Sequence, residues 1–312
     1  MHETAAQRPP HEPLVALGTT DCRVTDMTVV ASADVTLADL QAELTAHRQW
    51  LPVDGDPSLT LGELVLANST GPLRLGFGGW RDLLLGVQFH NGRGELITAG
   101  GQVVKNVAGY DLTKLLVGSH GLFGRPVTLS SRTYRRPAGA VHASLPPDPA
   151  ALLPLLTTDR RPQWSLLTPE ALTLGYLGDE ATLAFYEREL AEANPRRVTV
   201  EEDITLRAEA FGRVAGGGDA GGDTGRMVVA VPPAAVGRFV SAAGTSRWSA
   251  DPAFGIVVVR DAAGQAVKRA AAEAGGAVLP RDAAEAAEAF GQEPAKHALL
   301  RRLIDAFNSP RP

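Results

Sequence analysis

The chain has 312 residues, 44% of them hydrophobic and 21% charged, with a formal net charge of −5. This composition excludes a disordered or collagen-like chain, and the acidic balance argues against a surface built to neutralise nucleic-acid phosphates. The length suits one large domain or two ordinary ones, and a single cysteine, Cys22, excludes an internal disulfide, a cysteine-ligated Fe–S cluster and a Cys-rich zinc site.

Met1–Pro13 is polar and proline-rich, and is expected to fray. It lacks the apolar core of a secretory signal, and no apolar run approaches the roughly 20 residues of a membrane span. The expectation is therefore a cytoplasmic protein without a transmembrane segment. Asp26–Ser32 reads as a β-branched strand. Thr36–His47 follows as an amphipathic helix, with Thr36 as its cap and Leu37, Leu40 and Leu44 on one stripe. Leu83–His90 reads as a strand, and Asn91-Gly92 as the tight turn of a hairpin returning through Leu96 and Ile97. A short helix is expected within Gly109–Gly118 and a strand over Val127–Tyr134. Arg135-Arg136-Pro137 marks a boundary.

Beyond it, strands and helices alternate. Strands are predicted at Val141–Leu145, Thr173–Leu177, Arg226–Val231, Phe254–Arg260 and Ala277–Leu279. Helices are predicted at Ala150–Leu156, Glu180–Glu192, Ala234–Ala242, Ala262–Glu273 and Ala298–Phe307. Gly216–Gly225 reads as a flexible surface linker. Such alternation fits an α+β sandwich with helices on one face of a sheet. No internal repeat is legible.

The most informative segment is Gly100–Gly124, in which six glycines interrupt an otherwise apolar and polar mixture. Glycine at this density means that backbone turns, or approaches something, where a Cβ would clash. Neither G-x-G-x-x-G nor G-x-x-x-x-G-K-[ST] occurs, so a Rossmann loop and a P-loop are excluded. Lys105-Asn106-Val107-Ala108-Gly109-Tyr110-Asp111-Leu112, running into Gly118-Ser119-x-Gly121-x-x-Gly124, resembles the flavin-binding signature of the PCMH-type, or vanillyl-alcohol-oxidase, class. Within that class the segment most resembles the E subunit of bacterial glycolate oxidase.

The resemblance implies an α+β fold in three parts. These are a PCMH-type FAD-binding domain over residues 1–137, a ferredoxin-like α+β cap over 138–285, and a C-terminal helix and tail over 286–312 that return to the first domain. It implies FAD as cofactor, held by Lys105, Asn106, Gly109, Tyr110, Asp111, Gly118, Ser119, His120 and Gly121. A second phosphate-proximal turn is implied at Thr60, Leu61 and Gly62 with Ser69 and Gly71, and Asn308 belongs to the closing tail. Backbone N–H groups in such turns can hold an anionic pyrophosphate without a lysine.

The departures are specific. Glu63 replaces the second glycine of that T-x-G-G turn, where a carboxylate facing the pyrophosphate would repel it. Pro126 removes a backbone donor from the strand after the glycine loop. The chain begins at about the strand that follows the family's first glycine-rich loop. Arg81 and Asp82 read equally as a structural ion pair or as functional residues. The seven histidines show no H-x-H or H-x-x-x-H pair, so no metal site is expected, and no catalytic acid–base residue is identified.

The function so implied is flavin-mediated electron transfer by a subunit of a 2-hydroxyacid-oxidising, glycolate-oxidase-like complex. Its partners would be a larger catalytic flavoprotein and an Fe–S subunit, with the small hydroxyacid reached through the complex. The location would be cytoplasmic or peripheral to the inner membrane. The rival reading is a flavin-free scaffold that docks the catalytic subunit.

Overall fold

The computed structural model describes residues 18–101, 112–211, 226–260, 262–280, 285 and 294–308. In chain order the first part contains β1 (Thr20–Arg23), β2 (Thr28–Ser32), α1 (Leu37–Ala46), β3 (Gln49–Trp50), α2 (Leu61–Ala67), α3 (Arg74–Phe77), α4 (Trp80–Leu83), β4 (Leu84–His90), β5 (Leu96–Gly100), α5 (Leu112–Leu116), β6 (Arg125–Arg132) and β7 (Tyr134–Arg135). An antiparallel sheet of order β1-β2-β6-β4-β5 is its frame, with β3 and β7 pairing separately.

Thr36 caps α1 by accepting from the Asp39 N–H at 3.1 Å, and Leu37, Leu40 and Leu44 bury the predicted stripe. Pro126 lies in the central strand β6, at a shift of register against Gln88 and Phe89, where a missing donor is tolerated. The hairpin differs from the expected two-residue Asn-Gly turn. Residues 91–95 form the loop because the Asn91 side chain accepts from the N–H groups of Arg93 and Glu95, at 2.9 and 3.0 Å. The left-handed position is Gly94, not Gly92.

The second part contains β8 (Gly139–Leu145), a 3-10 helix (Pro149–Thr157), β9 (Trp164–Leu167), β10 (Leu172–Gly178), α6 (Glu180–Glu189), β11 (Arg196–Val198), α7 (Val200–Phe211), β12 (Met227–Ala230), α8 (Val236–Ala243), β13 (Trp248–Asp251), β14 (Ile256–Val259), α9 (Gly264–Glu273) and β15 (Ala277–Val278). Its eight strands run β11-β8-β10-β9-β13-β14-β12-β15. Each half is a β-helix-β-β-α-β unit with the split βαβ order of a ferredoxin-like fold. The two units join edge to edge where Ala250 faces Leu167. The second part is thus a tandem repeat that the sequence conceals, because only burial pattern and not residue identity is repeated. In the first unit the helix predicted at Ala150–Leu156 is a 3-10 helix with Pro154 inside it.

Period-2 alternation sorts the large sheet into two faces. Val141, Ala143, Leu174, Tyr176, Val257 and Val259 pack beneath α6, α8 and α9. Ala140, Leu177 and Val258 face the other way, into a core shared with Trp50, Leu73, Phe77 and Tyr134 of the first part and with Phe211 of α7. Helix α10 (Pro294–Asn308) returns to the first sheet. Phe307 packs 6.1 Å from Phe89 and 5.7 Å from Phe123 between ring centroids. Among the described residues no helix is long and apolar enough to cross a membrane.

Polar groups bury themselves at the same junction. Asp203 and Arg207 are fully buried on successive turns of α7. Asp203 accepts from His142 Nε2 (2.8 Å), Trp164 Nε1 (2.9 Å) and Arg207 Nε and Nη2 (3.2 and 2.9 Å). The remaining face of the Arg207 guanidinium donates to Asp54 Oδ1 from the loop after β3. Removing Arg207 would leave two carboxylates facing each other out of water, so Arg207→Ala is expected to cost about 3–5 kcal/mol of stability by urea denaturation.

Asp251, at the end of β13, is buried near Arg74 and Asp54 and accepts from the Ala253 N–H at 3.1 Å. Burial pushes its carboxyl up to about 8, against the opposing pull of Arg74 and the Ala253 and Phe254 N–H groups and with the push of the Asp54 charge. The folded state therefore holds a proton that the unfolded chain has released above its ordinary carboxylate range. Stability contributed by that proton is lost as pH rises towards about 8. Asp251→Asn should flatten this decline, measured as melting temperature from pH 5 to 9.

Candidate functional site

Helix α2 organises the predicted cradle. Its N-terminus is a capping box in which Glu63 N–H donates to Thr60 Oγ1 (3.2 Å) and the Glu63 carboxylate accepts from Thr60 N–H (2.8 Å). Leu61 N–H donates to Val35 O and Gly62 N–H to Ala33 O, each at 2.9 Å. All four leading N–H groups are therefore paired within the protein, so the Thr60–Gly62 turn does not offer the backbone donors expected of it. Glu63 is turned onto the helix end. The glycine at position 62 answers to packing, since a Cβ there would lie 3.2 Å from Ala33 and 3.3 Å from the Pro126 ring.

The other end of α2, about 10 Å away at 1.5 Å per residue, is joined to the glycine loop. Gly118 N–H donates to Val65 O (3.0 Å) and His120 N–H to Leu66 O (2.9 Å), closing the last helical carbonyls. Gly118, His120 and Gly121 all have positive φ, with Gly121 at +82° and no described residue within 4 Å of where its Cβ would stand. Beside it the Ser119 hydroxyl is buried without a hydrogen-bond partner among the described residues. Ser69 is fully buried just past α2, and Gly71 lies against Asp54, whose Cβ would be 2.5 Å from an added methyl.

Asn308 reaches this loop from α10. Its amide donates to Leu122 O at 3.0 Å and its carbonyl accepts from Gly92 N–H at 3.1 Å. The side chain thereby clamps the glycine loop to the β4-β5 hairpin, with Arg93 Nη1 on Ala306 O at 2.8 Å beside it. The structure thus brings Ser69, Gly118, Ser119, His120, Gly121 and Asn308 to one end of α2, with Thr60, Leu61 and Gly62 at the other. Lys105, Asn106, Gly109, Tyr110 and Asp111 lie outside the described residues.

Arg81 and Asp82 do not form the ion pair that was one reading. Asp82 instead accepts from Gly79 N–H at 2.9 Å, capping the turn before β4. Among the described residues no cluster of three or more His, Cys, Asp or Glu groups could hold a metal ion. His142 is engaged with Asp203.

Between the two parts lies a cavity of about 250 Å³, with Leu37, Trp50, Val53, Asp54, Arg207 and Phe211 among its walls. None of the described residues read from the glycine motifs lines it. Sequence reading passed over α7, yet its signal is present: Thr199-x-x-Glu202 is a capping box, followed by Val200, Asp203, Arg207 and Phe211 on one buried stripe. Asp203 is held below the ordinary carboxylate range by hydrogen bonds from His142 and Arg207 that outweigh its burial. Asp54, sharing the same guanidinium, is pushed up by burial and by the Asp203 charge.

Residues 18–100 match the FAD binding domain family. The chain is 35% identical to the glycolate oxidase subunit GlcE of Escherichia coli K12 over 121 residues, covering 38% of this chain and 34% of that protein. It is 43% identical to the glycolate oxidase subunit GlcD of Bacillus subtilis over 65 residues, 21% of this chain and 14% of the relative. It is 27% identical to the mitochondrial D-lactate dehydrogenase [cytochrome] of Arabidopsis thaliana over 120 residues, 38% and 21% respectively. The matches thus span about a third or less of each relative's length. The PCMH-type resemblance, the α+β fold and the FAD expectation agree with these matches and with the mixed helix–sheet architecture.

Because no described residue crowds the Cβ position of Gly121, the cost of a side chain there is dihedral strain rather than collision. Gly121→Val is expected to lose about 1–3 kcal/mol in urea melts without FAD. A loss below a few tenths would show that the loop relaxes freely.

Proposed function

We propose that this chain is the FAD-binding subunit of a glycolate-oxidase-like complex that oxidises a small 2-hydroxyacid. The buried Ser119 hydroxyl, without a partner among the described residues, carries the reading. A buried hydroxyl without a partner is costly, and a ligand oxygen arriving over the open face of Gly121 would satisfy it. FAD, when bound, supplies reversible acceptance of electrons from the substrate. The chain's own contribution is to hold and shield it. Ser119 and the left-handed Gly121 backbone would face the cofactor, and Gly118 and His120 fix the loop on α2. Asn308 and Phe307 close the loop from α10. Lys105, Asn106, Gly109, Tyr110 and Asp111 would complete the contact by the family pattern.

The domain division at residues 137 and 285 belongs to the same proposal, as do a larger catalytic flavoprotein and an Fe–S subunit as partners. With one cysteine the chain holds no cysteine-ligated cluster itself. Its place would be the cytoplasm, at the membrane only through that complex. The scaffold reading is favoured by one observation: every leading N–H of α2 is already paired and Glu63 occupies that helix end.

Absorbance in the flavin bands of the purified full chain, with FAD titration followed by thermal melting, separates the two. Expected are partial flavin content alone and a saturable stabilisation by added FAD. Ser119→Ala should leave the FAD-free protein as stable or more so, by up to about 1–3 kcal/mol, because it removes an unsatisfied polar atom. The same variant should weaken the FAD response. No saturable FAD effect on the wild-type chain would favour the scaffold.

A further inference from the structure

The cavity between the two parts has a composition that selects a ligand class independent of the flavin reading. Leu37 and Trp50 of the first part and Ala208 and Phe211 of α7 make its walls mainly apolar. The polar groups inside are engaged. The Gln41 amide exchanges hydrogen bonds with the Leu51 backbone at 2.6 and 3.2 Å. Arg207 is divided between Asp54 and Asp203, and Asp54 also accepts from the Leu73 N–H at 2.8 Å.

Arg136 is the exception. It lines the cavity and is partly open to solvent. Nη2 meets Glu201 at 2.7 Å, but that carboxylate side chain is 72% exposed. Nη1 makes only a 3.4 Å contact with Thr45 Oγ1. Its Nε has no partner among the described residues. A guanidinium held by an exposed carboxylate can exchange it for another at little cost, and its planar fork suits a carboxylate.

These features discriminate. A polyphosphate needs several free donors and finds one arginine. A sugar finds apolar walls, and a cation meets two guanidinium groups. A single carboxylate on an apolar chain satisfies both the walls and Arg136. We propose that this cavity binds a small monocarboxylate carrying an apolar chain, anchored by Arg136. Its walls come from α1, the β3 loop and α7, so an occupant ties the two parts together.

The test uses the full-length protein, with octanoate as the probe and octylamine as its charge-reversed control, in calorimetric titration and thermal melts. Octanoate should bind saturably and raise the melting temperature, and octylamine should do neither. Arg136→Met should weaken octanoate by roughly tenfold or more, the worth of one charge-assisted contact. Ala208→Phe, which fills the cavity from α7, should abolish binding while Arg136 remains. The proposal is overturned by an absence of saturable octanoate binding, by equal binding of octylamine, or by octanoate binding that survives both substitutions unchanged.

Discussion

The Arg207 guanidinium lies buried between Asp54 and Asp203, and much of the molecule is arranged around that placement. A buried arginine is tolerable only when its donors are met with good geometry. Here one edge is bound along α7 to Asp203 and the other reaches the loop after β3 in a different part of the chain. That demand fixes the height and rotation of α7 against the first sheet. Asp203 is in turn tied down by His142 from β8 and Trp164 from β9. The same arrangement sets the apolar contact of Trp50, Leu73 and Phe77 with Trp164 and Phe211, and leaves the cavity beside it.

Two carboxylates on one cation cannot be equivalent. Asp203 has two cationic or potentially cationic partners and is kept ionised. Asp54 is second in line and resists ionisation. Asp251 adds a third carboxyl to this neighbourhood, opposed by the Ala253 N–H and the Arg74 charge. Arg74 also stands 4.2 Å over the Phe254 ring, so it serves the apolar and the polar side of the junction together. The junction is thus held by packing and by a charge balance that a proton can alter.

The cradle shows a different economy. At one end of α2 every donor is satisfied internally and glycine is required for close packing. At the other, the left-handed Gly121 backbone is uncrowded by any described residue, and the buried Ser119 hydroxyl beside it has no partner among the described residues. Glycines of one motif therefore serve two purposes, and only surroundings distinguish them. The C-terminal helix belongs to this end of the molecule, because Asn308 ties the glycine loop to the hairpin and Phe307 fills the apolar gap between Phe89 and Phe123.

Local periodicity and caps made α1, β4, α6 and the closing helix legible in the sequence, with Leu37, Leu40 and Leu44 or Leu183 and Tyr186 already marking the buried faces. The glycine pattern likewise carried the family resemblance, since a run such as Gly118-Ser119-x-Gly121 records backbone demands directly. Short strands such as β9 and β11 and the helix α7 were not read, and the tandem repeat was hidden because its units share topology without sharing residues. The ties between Arg207 and Asp54, 153 positions apart, and between Asn308 and Leu122, 186 apart, belong to the tertiary structure alone. A residue's local propensity depends on its neighbours in the chain, whereas the partner of a buried charge or amide depends on which distant segment folding brings within hydrogen-bond reach.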